Sequence, residues 1–332
     1  MLTRSLGPDG PSLPALGVGA MSFADFYGPV TTEGSHAILD AARDAGIVHV
    51  DTSNIYGMGL SEETIGRYLA TCKGETPFHI ATKAGICRDP ETGARGFDNS
   101  PEHLEAELDK SLMRMGLERV DLFYVHRRDQ RHEIEAVTEF LATLIAKGKI
   151  ASFGFSEIAP TSLRRAATVH PVAAVQSEYS LQTRAPELGL IQACEALGTA
   201  LVAFSPVGRA LLSDTPPTPQ RVAASVFLKD NPRFIPGALE RNIAASQPLR
   251  DLARQEGVAT ASLAIAWVLA QSDSIFAIPG TRSTAHFAEL VAGARMTPAP
   301  DLLAEIGRRL PVGWCHGARY SAAQAIGPEE YC

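Results

Sequence analysis

Short apolar runs alternate with amphipathic segments along most of the chain. Eight of these runs are rich in β-branched or aromatic residues and end in polar residues, as strands buried in a parallel sheet do. The runs are residues 16–20, 48–52, 78–83, 120–126, 150–156, 173–176, 201–205 and 275–279. We therefore predict eight short, buried strands.

Helical periodicity fills the intervals between these runs. Ser100, Pro101 and Glu102 have the pattern of an N-cap, a first-turn proline and an acidic first turn. The apolar residues that follow lie on one helical face, and the pattern recurs from residue 134 until Gly148, which is placed to end that helix. Further helices are predicted near residues 35–45, 62–70, 161–168, 187–197, 249–255 and 262–271.

This alternation favours one α/β domain, a (β/α)8 TIM barrel over residues 1–332, rather than two smaller domains. The main interruption is the proline-containing segment 206–245, which we predict to be a long loop over the cofactor and substrate face. The tail after residue 310 is expected to be partly irregular.

Composition and charge exclude several classes of protein. The formal net charge is −7 and no long basic run occurs, so no nucleic-acid partner is expected. No apolar stretch would cross a membrane, and residues 1–14 lack the apolar centre of a secretory signal. Five scattered cysteines indicate a reduced, cytoplasmic protein. The sequence contains no motif with the spacing of metal ligands, so no metal is expected. The oligomeric state is not readable from these patterns.

Titratable residues close several of the apolar runs. Asp51, Lys83 and His126 each end a predicted strand, and Tyr56 follows Asp51 in the next loop. Because active sites of such barrels lie at the carboxyl ends of the strands, an acid–base site is expected there. Each residue also has a purely structural interpretation. Asp51 would be a helix cap, Lys83 a solvated charge, His126 a core histidine and Tyr56 a packing residue.

Seven motifs, in order, resemble those of the aldo-keto reductases. They are VDTSNIYG at 50–57, IATK at 80–83, VDLFYVH at 120–126, IASFGFSE at 150–157, VQSEY at 175–179, AFSP at 203–206 and IPGT at 278–281. Each motif alone is weak, but together they are specific and cover nearly the whole chain. The resemblance implies an NADP(H)-dependent reductase of aldehydes, and possibly ketones, acting on small carbonyl substrates.

The resemblance also assigns the catalytic residues. Tyr56 is the general acid or base, and Lys83 is expected to lower the pKa of its phenol. Asp51 would pair with Lys83, and His126 would orient the substrate carbonyl.

The cofactor site is implied by the resemblance alone. No Rossmann fingerprint is present, because Ser22 stands where its third glycine would be. The nicotinamide is expected to bind Ser156 and Gln176 and to stack on Phe204, and the 2′-phosphate to bind Arg282. The full expected set is Gly19, Ala20, Met21, Ser156, Gln176, Phe204, Ser205, Val207, Gly208, Arg209, Gly280, Thr281, Arg282, His286 and Glu289. Three positions depart from the family pattern: Glu157 and Leu290 replace asparagine, and His286 replaces arginine.

Loop aromatics and one arginine are the candidates for substrate binding. Phe23, Tyr27 and Met58 suggest an apolar pocket. Arg127 directly follows His126 and would attract a carboxylate or phosphate, or else form an ion pair with Asp129.

Two other functions fit the same residues. One is an NADP(H)-binding regulatory or sensor protein of this fold with little turnover, like the potassium-channel β-subunits. The other is a lyase that forms a Schiff base through Lys83. The position of this lysine beside both Asp51 and Tyr56 makes the lyase function less favourable.

Overall fold

The computed structural model describes residues 1–74, 76–88, 91 and 93–330. Its centre is a parallel sheet of eight strands in sequential order. We number them β1 (Val18–Gly19), β2 (His49–Asp51), β3 (His79–Ala84), β4 (Val120–Val125), β5 (Ile150–Ser156), β6 (Ala174–Glu178), β7 (Ala200–Phe204) and β8 (Ile275–Ile278). Each lies within or beside one of the eight predicted runs, so that prediction is confirmed.

The first and last strands meet and close the sheet into a barrel. Leu16 forms a parallel bridge with Ala277. The amide of Gly17 donates to the carbonyl of Ala277 at 2.8 Å, and the amide of Gly19 donates to Pro279 at 3.0 Å. The predicted (β/α)8 TIM barrel is therefore confirmed.

Helices alternate with the strands around the barrel. Their bounds are α1 (Thr32–Asp44), α2 (Leu60–Thr71), α3 (Pro101–Met115), α4 (Ile134–Ala146), α5 (Pro160–Ala167), α6 (Leu190–Leu197), α7 (Pro219–Ala224), α8 (Ala238–Ala245), α9 (Gln247–Gln255), α10 (Thr260–Leu269), α11 (Thr284–Arg295), α12 (Pro300–Arg309) and α13 (Ala322–Ala325). The N-cap of α3 is as predicted, because the Ser100 hydroxyl accepts from the His103 amide.

Several elements differ from the sequence prediction. An antiparallel hairpin, Thr3–Ser5 with Ser12–Pro14, precedes the barrel, and a second one, Ile86–Arg88 with Arg95–Phe97, follows β3. The segment 206–245 contains α7 and α8 rather than only loop. Helices α11 and α12 were not predicted, although the buried residues Phe287, Leu290, Val291 and Ala294 of α11 have helical spacing.

Three groups of buried side chains hold these layers together. The largest fills the space between strands and outer helices. A second fills the barrel interior with Leu122, Tyr124 and Phe276, and the N-terminal hairpin adds Leu6 and Leu13 to it. A third lies under segment 206–245, around Leu211 and Phe234, so this segment packs on a core of its own.

No helix among the described residues combines the length and apolar character needed to cross a membrane. The cytoplasmic location stays a prediction.

The barrel interior leaves no room for a side chain at Gly154 on β5. A Cβ there would lie 2.3 Å from the Ala174 carbonyl oxygen and 2.7 Å from the Tyr124 ring. We predict that Gly154→Ala lowers the free energy of unfolding by about 1–3 kcal/mol, because the neighbouring backbone must move. Urea unfolding followed by circular dichroism measures this change.

The matched control is Gly307→Ala in α12, where nothing lies within 4 Å of the added Cβ. Alanine has the higher helix propensity, so this variant should gain up to about 1 kcal/mol. A Gly154→Ala protein as stable as the parent would contradict the close packing described for β5.

Candidate active site

A large cavity opens at the carboxyl ends of the strands. Its volume is about 1070 Å³, and its walls come from the loops after the strands, from segment 206–245 and from the C-terminal tail. Asp51, Tyr56 and His126 line it together. Lys83 does not line it, because this side chain is fully buried behind Asp51.

A buried ion pair joins β2 to β3 at the base of the cavity. The Lys83 ammonium donates to the Asp51 carboxylate and, at 2.7 Å, to the Thr52 carbonyl oxygen. The other oxygen of Asp51 accepts from Gln176 Nε2 at 2.8 Å. Burial lowers the pKa of Lys83 and raises that of Asp51, while the attraction between the two charges opposes both changes. This pairing agrees with the one expected from the sequence.

Tyr56 lies above this ion pair at the start of a 3₁₀ turn, Tyr56–Gly59. Left-handed backbone at Gly57 and Met58, with φ of 61° and 55°, turns the chain sharply after the tyrosine. Lys83 Nζ is 5.4 Å from the centre of the Tyr56 ring. The Tyr56 ring meets the His126 ring edge to face, with centroids 5.9 Å apart. The phenol is therefore held between the cation and the imidazole.

The pKa of Tyr56 moves in the direction opposite to the one expected from the sequence. Desolvation within the cavity raises the pKa of the phenol, and the Asp51 carboxylate adds to the rise, against a smaller lowering by Arg127. The lowering expected from Lys83 is not observed, because burial and the Asp51 carboxylate outweigh the lowering contributions. Tyr56 is consequently a protonated phenol at neutral pH.

His126 is the second hydrogen-bonding group on the cavity wall. Burial and the positive charges of Arg127 and Lys83 hold its pKa well below the usual range, so the ring is neutral. Its Nδ1 lies 3.0 Å from the Ser53 hydroxyl. With that hydroxyl donating to Nδ1, the ring proton is on Nε2, the other nitrogen. Tyr56 and His126 then provide two neutral donors side by side.

Comparisons with known proteins agree with this arrangement. Residues 15–301 match the model of the aldo/keto reductase family. The chain belongs to this family. An aldo-keto reductase of Schizosaccharomyces pombe, named yakc [NADP(+)], is 34% identical over 321 residues, covering 96% of this chain and 94% of that protein. Probable aldo-keto reductase 1 of Glycine max is 32% identical over 321 residues, covering 95% of this chain and 90% of that protein.

A solved structure matches the whole barrel. The glycerol dehydrogenase of Gluconobacter oxydans superposes with a TM-score of 0.79 at 25% identity, covering 93% of this chain and 96% of that one. Membership of the aldo/keto reductase family makes this chain an oxidoreductase, so the earlier resemblance is confirmed.

Most residues expected to bind the cofactor of this aldo/keto reductase lie on the cavity wall. They are Gly19, Met21, Ser156, Gln176, Phe204, Ser205, Val207, Arg209, Gly280, Thr281, Arg282, His286 and Glu289. Ala20 and Gly208 do not lie there. The carbonyl of Ala20 accepts from the Ser61 hydroxyl behind the wall, and Gly208 packs on the side chain of Gln182.

Two of these polar groups have partners within the protein. Gln176 donates to Asp51, and the Ser156 hydroxyl accepts from Arg127 Nη1 at 3.0 Å. Glu157, which replaces the family asparagine, turns away from the cavity. Its carboxylate accepts from the Glu178 amide at 2.9 Å and pairs with Arg319.

The loop after β7 has an unusual backbone. Ser205, Gly208, Arg209 and Ala210 all have positive φ, between 52° and 71°. Among the described residues, no acceptor is bonded to the amides of Val207, Arg209 or Ala210. The Gly208 amide donates to Ser205, but those of Arg209 and Ala210 are consecutive, and consecutive free N–H groups suit an anion.

The far end of the cavity carries two arginines. Arg282, expected from the sequence, donates to the Pro29 carbonyl at 3.0 Å and lies on the wall. Arg221 of α7 lies there too. Burial lowers the pKa of Arg282 most, and the positive charge of Arg221 lowers it further. Sequence reasoning missed Arg221 because its segment was taken as loop. The Thr218-Pro219 N-cap of α7 was the available signal.

The expected substrate residues divide into two groups. Tyr27, Met58 and Arg127 line the cavity. Phe23 does not: it is 1% exposed and packs in the main core, so we remove it from the substrate site. The alternative ion pair of Arg127 with Asp129 is also wrong, since Asp129 pairs with Arg131 at 2.7 Å.

A buried carboxylate organises the loops above β6. Glu178 accepts from Arg209 at 3.1 Å and lies 3.7 Å from Arg233. Burial alone would raise the pKa of Glu178, but the neighbouring guanidinium groups outweigh it and lower the pKa. Arg209 was expected along the pyrophosphate, but its guanidinium is held by this carboxylate and stacks on Phe227.

The C-terminal tail crosses the cavity mouth and is held by similar contacts. Arg319 pairs with Glu157, and the Glu329 carboxylate accepts from the Ala159 amide at 2.7 Å. Tyr320 and Gln324 thereby reach the cavity wall. No periodic pattern predicted these residues, because the tail is positioned by ion pairs and hydrogen bonds to residues distant in sequence.

Proposed function

We propose that this aldo/keto reductase reduces aldehydes to primary alcohols with NADPH, and that Tyr56 donates the proton. The observation that carries the proposal is the edge-to-face placement of Tyr56 and His126 on the cavity wall, over a buried Lys83–Asp51 ion pair. Aldehydes are the proposed substrates because they are intrinsically easier to reduce than ketones.

The donors would hold and then protonate the carbonyl oxygen. NADPH, when bound, supplies the hydride that adds to the carbonyl carbon. His126 Nε2–H and the Tyr56 hydroxyl would donate hydrogen bonds to the carbonyl oxygen, which fixes its position and stabilises the negative charge that develops there. Tyr56 then transfers its proton to that oxygen, which completes the alcohol.

Lys83 and Asp51 would act behind the tyrosine. Proton transfer leaves Tyr56 as a phenolate, and the Lys83 ammonium lies 5.4 Å from the centre of its ring. Asp51 keeps the ammonium in place and charged, because an unpaired buried lysine would lose its proton more readily. Lys83 and Asp51 are thus positioning residues in this proposal.

The cavity residues fit a phosphorylated dinucleotide. The free amides of Val207, Arg209 and Ala210 suit a pyrophosphate. Arg221 and Arg282 at the far end suit a 2′-phosphate, which NADP has and NAD lacks. Phe204 lies on the wall, where it could stack on a nicotinamide ring. The NADP(+) in the name of the fission yeast relative supports the same cofactor.

The role of Tyr56 leads to the first test of this function. We predict that Tyr56→Phe lowers kcat/KM for benzaldehyde by about 10²- to 10⁴-fold, the usual worth of a positioned general acid. NADPH affinity should stay within about twofold, because the hydroxyl is not assigned a cofactor contact. NADPH oxidation followed by absorbance measures turnover, and quenching of protein fluorescence measures binding.

Tyr68→Phe is the matched control, since Tyr68 donates to Asp40 on the outer face of the barrel. It should turn over benzaldehyde at the parent rate. Undiminished turnover by Tyr56→Phe would contradict the assigned mechanism. A parent protein that binds NADPH tightly yet reduces no aldehyde would favour the sensor function instead.

Cofactor preference gives a second test. We predict that Arg221→Gln raises the Kd for NADPH by roughly tenfold or more, the worth of one charge-assisted contact to a phosphate. The Kd for NADH should change by less than about twofold. Arg241→Gln on α8, an exposed arginine of the same segment, is the control and should leave both Kd values unchanged. Equal effects of Arg221→Gln on both cofactors would contradict the assignment of a 2′-phosphate site.

A further inference from the structure

Three arginines form a basic cluster on one wall of the cavity. Arg88 and Arg95 come from the hairpin after β3, and Arg127 comes from the loop after β4. We call these three residues the arginine cluster. Neither the four catalytic residues, Asp51, Tyr56, Lys83 and His126, nor the proposed cofactor contacts include any of the three.

The cluster lies across the barrel from the proposed phosphate sites. The strands follow one another in sequential order around the closed sheet, so β3 is opposite β7. The loop with free amides follows β7, and Arg282 follows β8, whereas the arginine cluster follows β3 and β4. A dinucleotide bound by the β7 and β8 loops would therefore leave the cluster to the substrate.

The hairpin places two of the positive charges directly side by side. Arg88 and Arg95 are register partners of its two antiparallel strands. Like charges in directly opposed positions destabilise a strand pair. Among the described residues, the acceptor of the Arg88 guanidinium is the Gly93 carbonyl, at 3.1 Å, which satisfies a donor but does not neutralise the charge. This repulsion makes an anionic partner favourable.

No carboxylate of the described residues forms an ion pair with Arg95 or Arg127. The groups that act on Arg95 besides burial are Arg127, Tyr320 and Arg88, and its pKa is lowered. By contrast, Arg209, which lines the same cavity, is paired with Glu178. The arginine cluster therefore differs from the charges that the fold itself compensates.

Arg127 brings the cluster next to the reacting groups. It is 8% exposed, and its Nη1 donates to the His126 carbonyl at 2.6 Å and to Ser156. Its buried Nε has no acceptor among the described residues. The guanidinium is thus held rigidly beside His126, where the carbonyl oxygen would be bound. An anionic group near that carbonyl would meet Arg127 first and Arg95 beyond it.

We propose that the arginine cluster binds an anionic tail of the substrate, so that the preferred substrates are short aldehydes bearing a carboxylate or a phosphate. This inference rests on the proposed function, because it names the substrate class of the same site. Arg127 fixes the inner end of the anion, and Arg95 and Arg88 surround its outer end. Guanidinium groups recognise both kinds of anion through paired N–H donors.

The test compares each charged aldehyde with a neutral partner of similar size. One arm measures kcat/KM, with NADPH saturating, for 4-oxobutanoate and for its methyl ester. The other arm measures it for glyceraldehyde 3-phosphate and for glyceraldehyde. The readout is the ratio of the charged to the neutral substrate, so that general losses of activity cancel. We expect a ratio of at least about tenfold in one arm, and that arm identifies carboxylate or phosphate as the source.

Arg95→Gln should reduce this ratio by about tenfold, while Arg254→Gln on α9, an exposed arginine away from the cavity, should keep it. In the parent protein, raising the ionic strength from about 0.05 M to about 0.5 M should also lower the ratio, because salt screens the attraction.

The possible failures are distinguishable. Good turnover of all four aldehydes with ratios near one would overturn the inference and leave the proposed function intact. A high ratio that Arg95→Gln does not change would overturn the role of the cluster. Absence of turnover with every aldehyde would overturn the proposed function and this inference with it.

Discussion

The buried ion pair between Lys83 and Asp51 is the constraint on which the site depends. Taking two charges out of water costs several kcal/mol per ion, and only close pairing with further hydrogen bonds offsets it. The barrel supplies these contacts from separate strands: the Thr52 carbonyl accepts from Lys83, and Gln176 donates to Asp51. Strand register therefore fixes the position of the pair, and Tyr56 and His126 pack above it.

The same arrangement divides the cavity by charge. Directly over the ion pair, Tyr56 and His126 are neutral because burial opposes a charge on either one. The positive groups lie to the sides: free amides and Arg221 on one wall, Arg95 and Arg127 on the other. A neutral centre suits a carbonyl, and the outer positive groups suit anions at both ends of a reacting complex.

Sequence patterns predicted the parts of the molecule that are local or periodic. The eight strands follow from apolar runs, and Asp51, Lys83 and His126 were expected at one face of the barrel because each ends such a run. Features that depend on contacts distant in sequence were not predictable, such as Arg221 beside Arg282. Phe23 was misplaced because an apolar loop residue can face the core or the cavity. The pKa of Tyr56 was misjudged because burial, the largest cause of its rise, is not readable from the sequence.

The most direct test of this account is the pH dependence of kcat/KM for aldehyde reduction, measured with NADPH saturating. A proton donor must be protonated to act, and a raised pKa keeps Tyr56 protonated until the pH exceeds that pKa. A depressed pKa likewise keeps His126 neutral at all but low pH. The account predicts a flat profile from about pH 6 to about pH 9, because Tyr56 stays protonated and His126 stays neutral across this interval. A decline in kcat/KM centred near pH 7 to 8 that disappears in Tyr56→Phe would contradict it, because Tyr56 would then ionise at neutral pH.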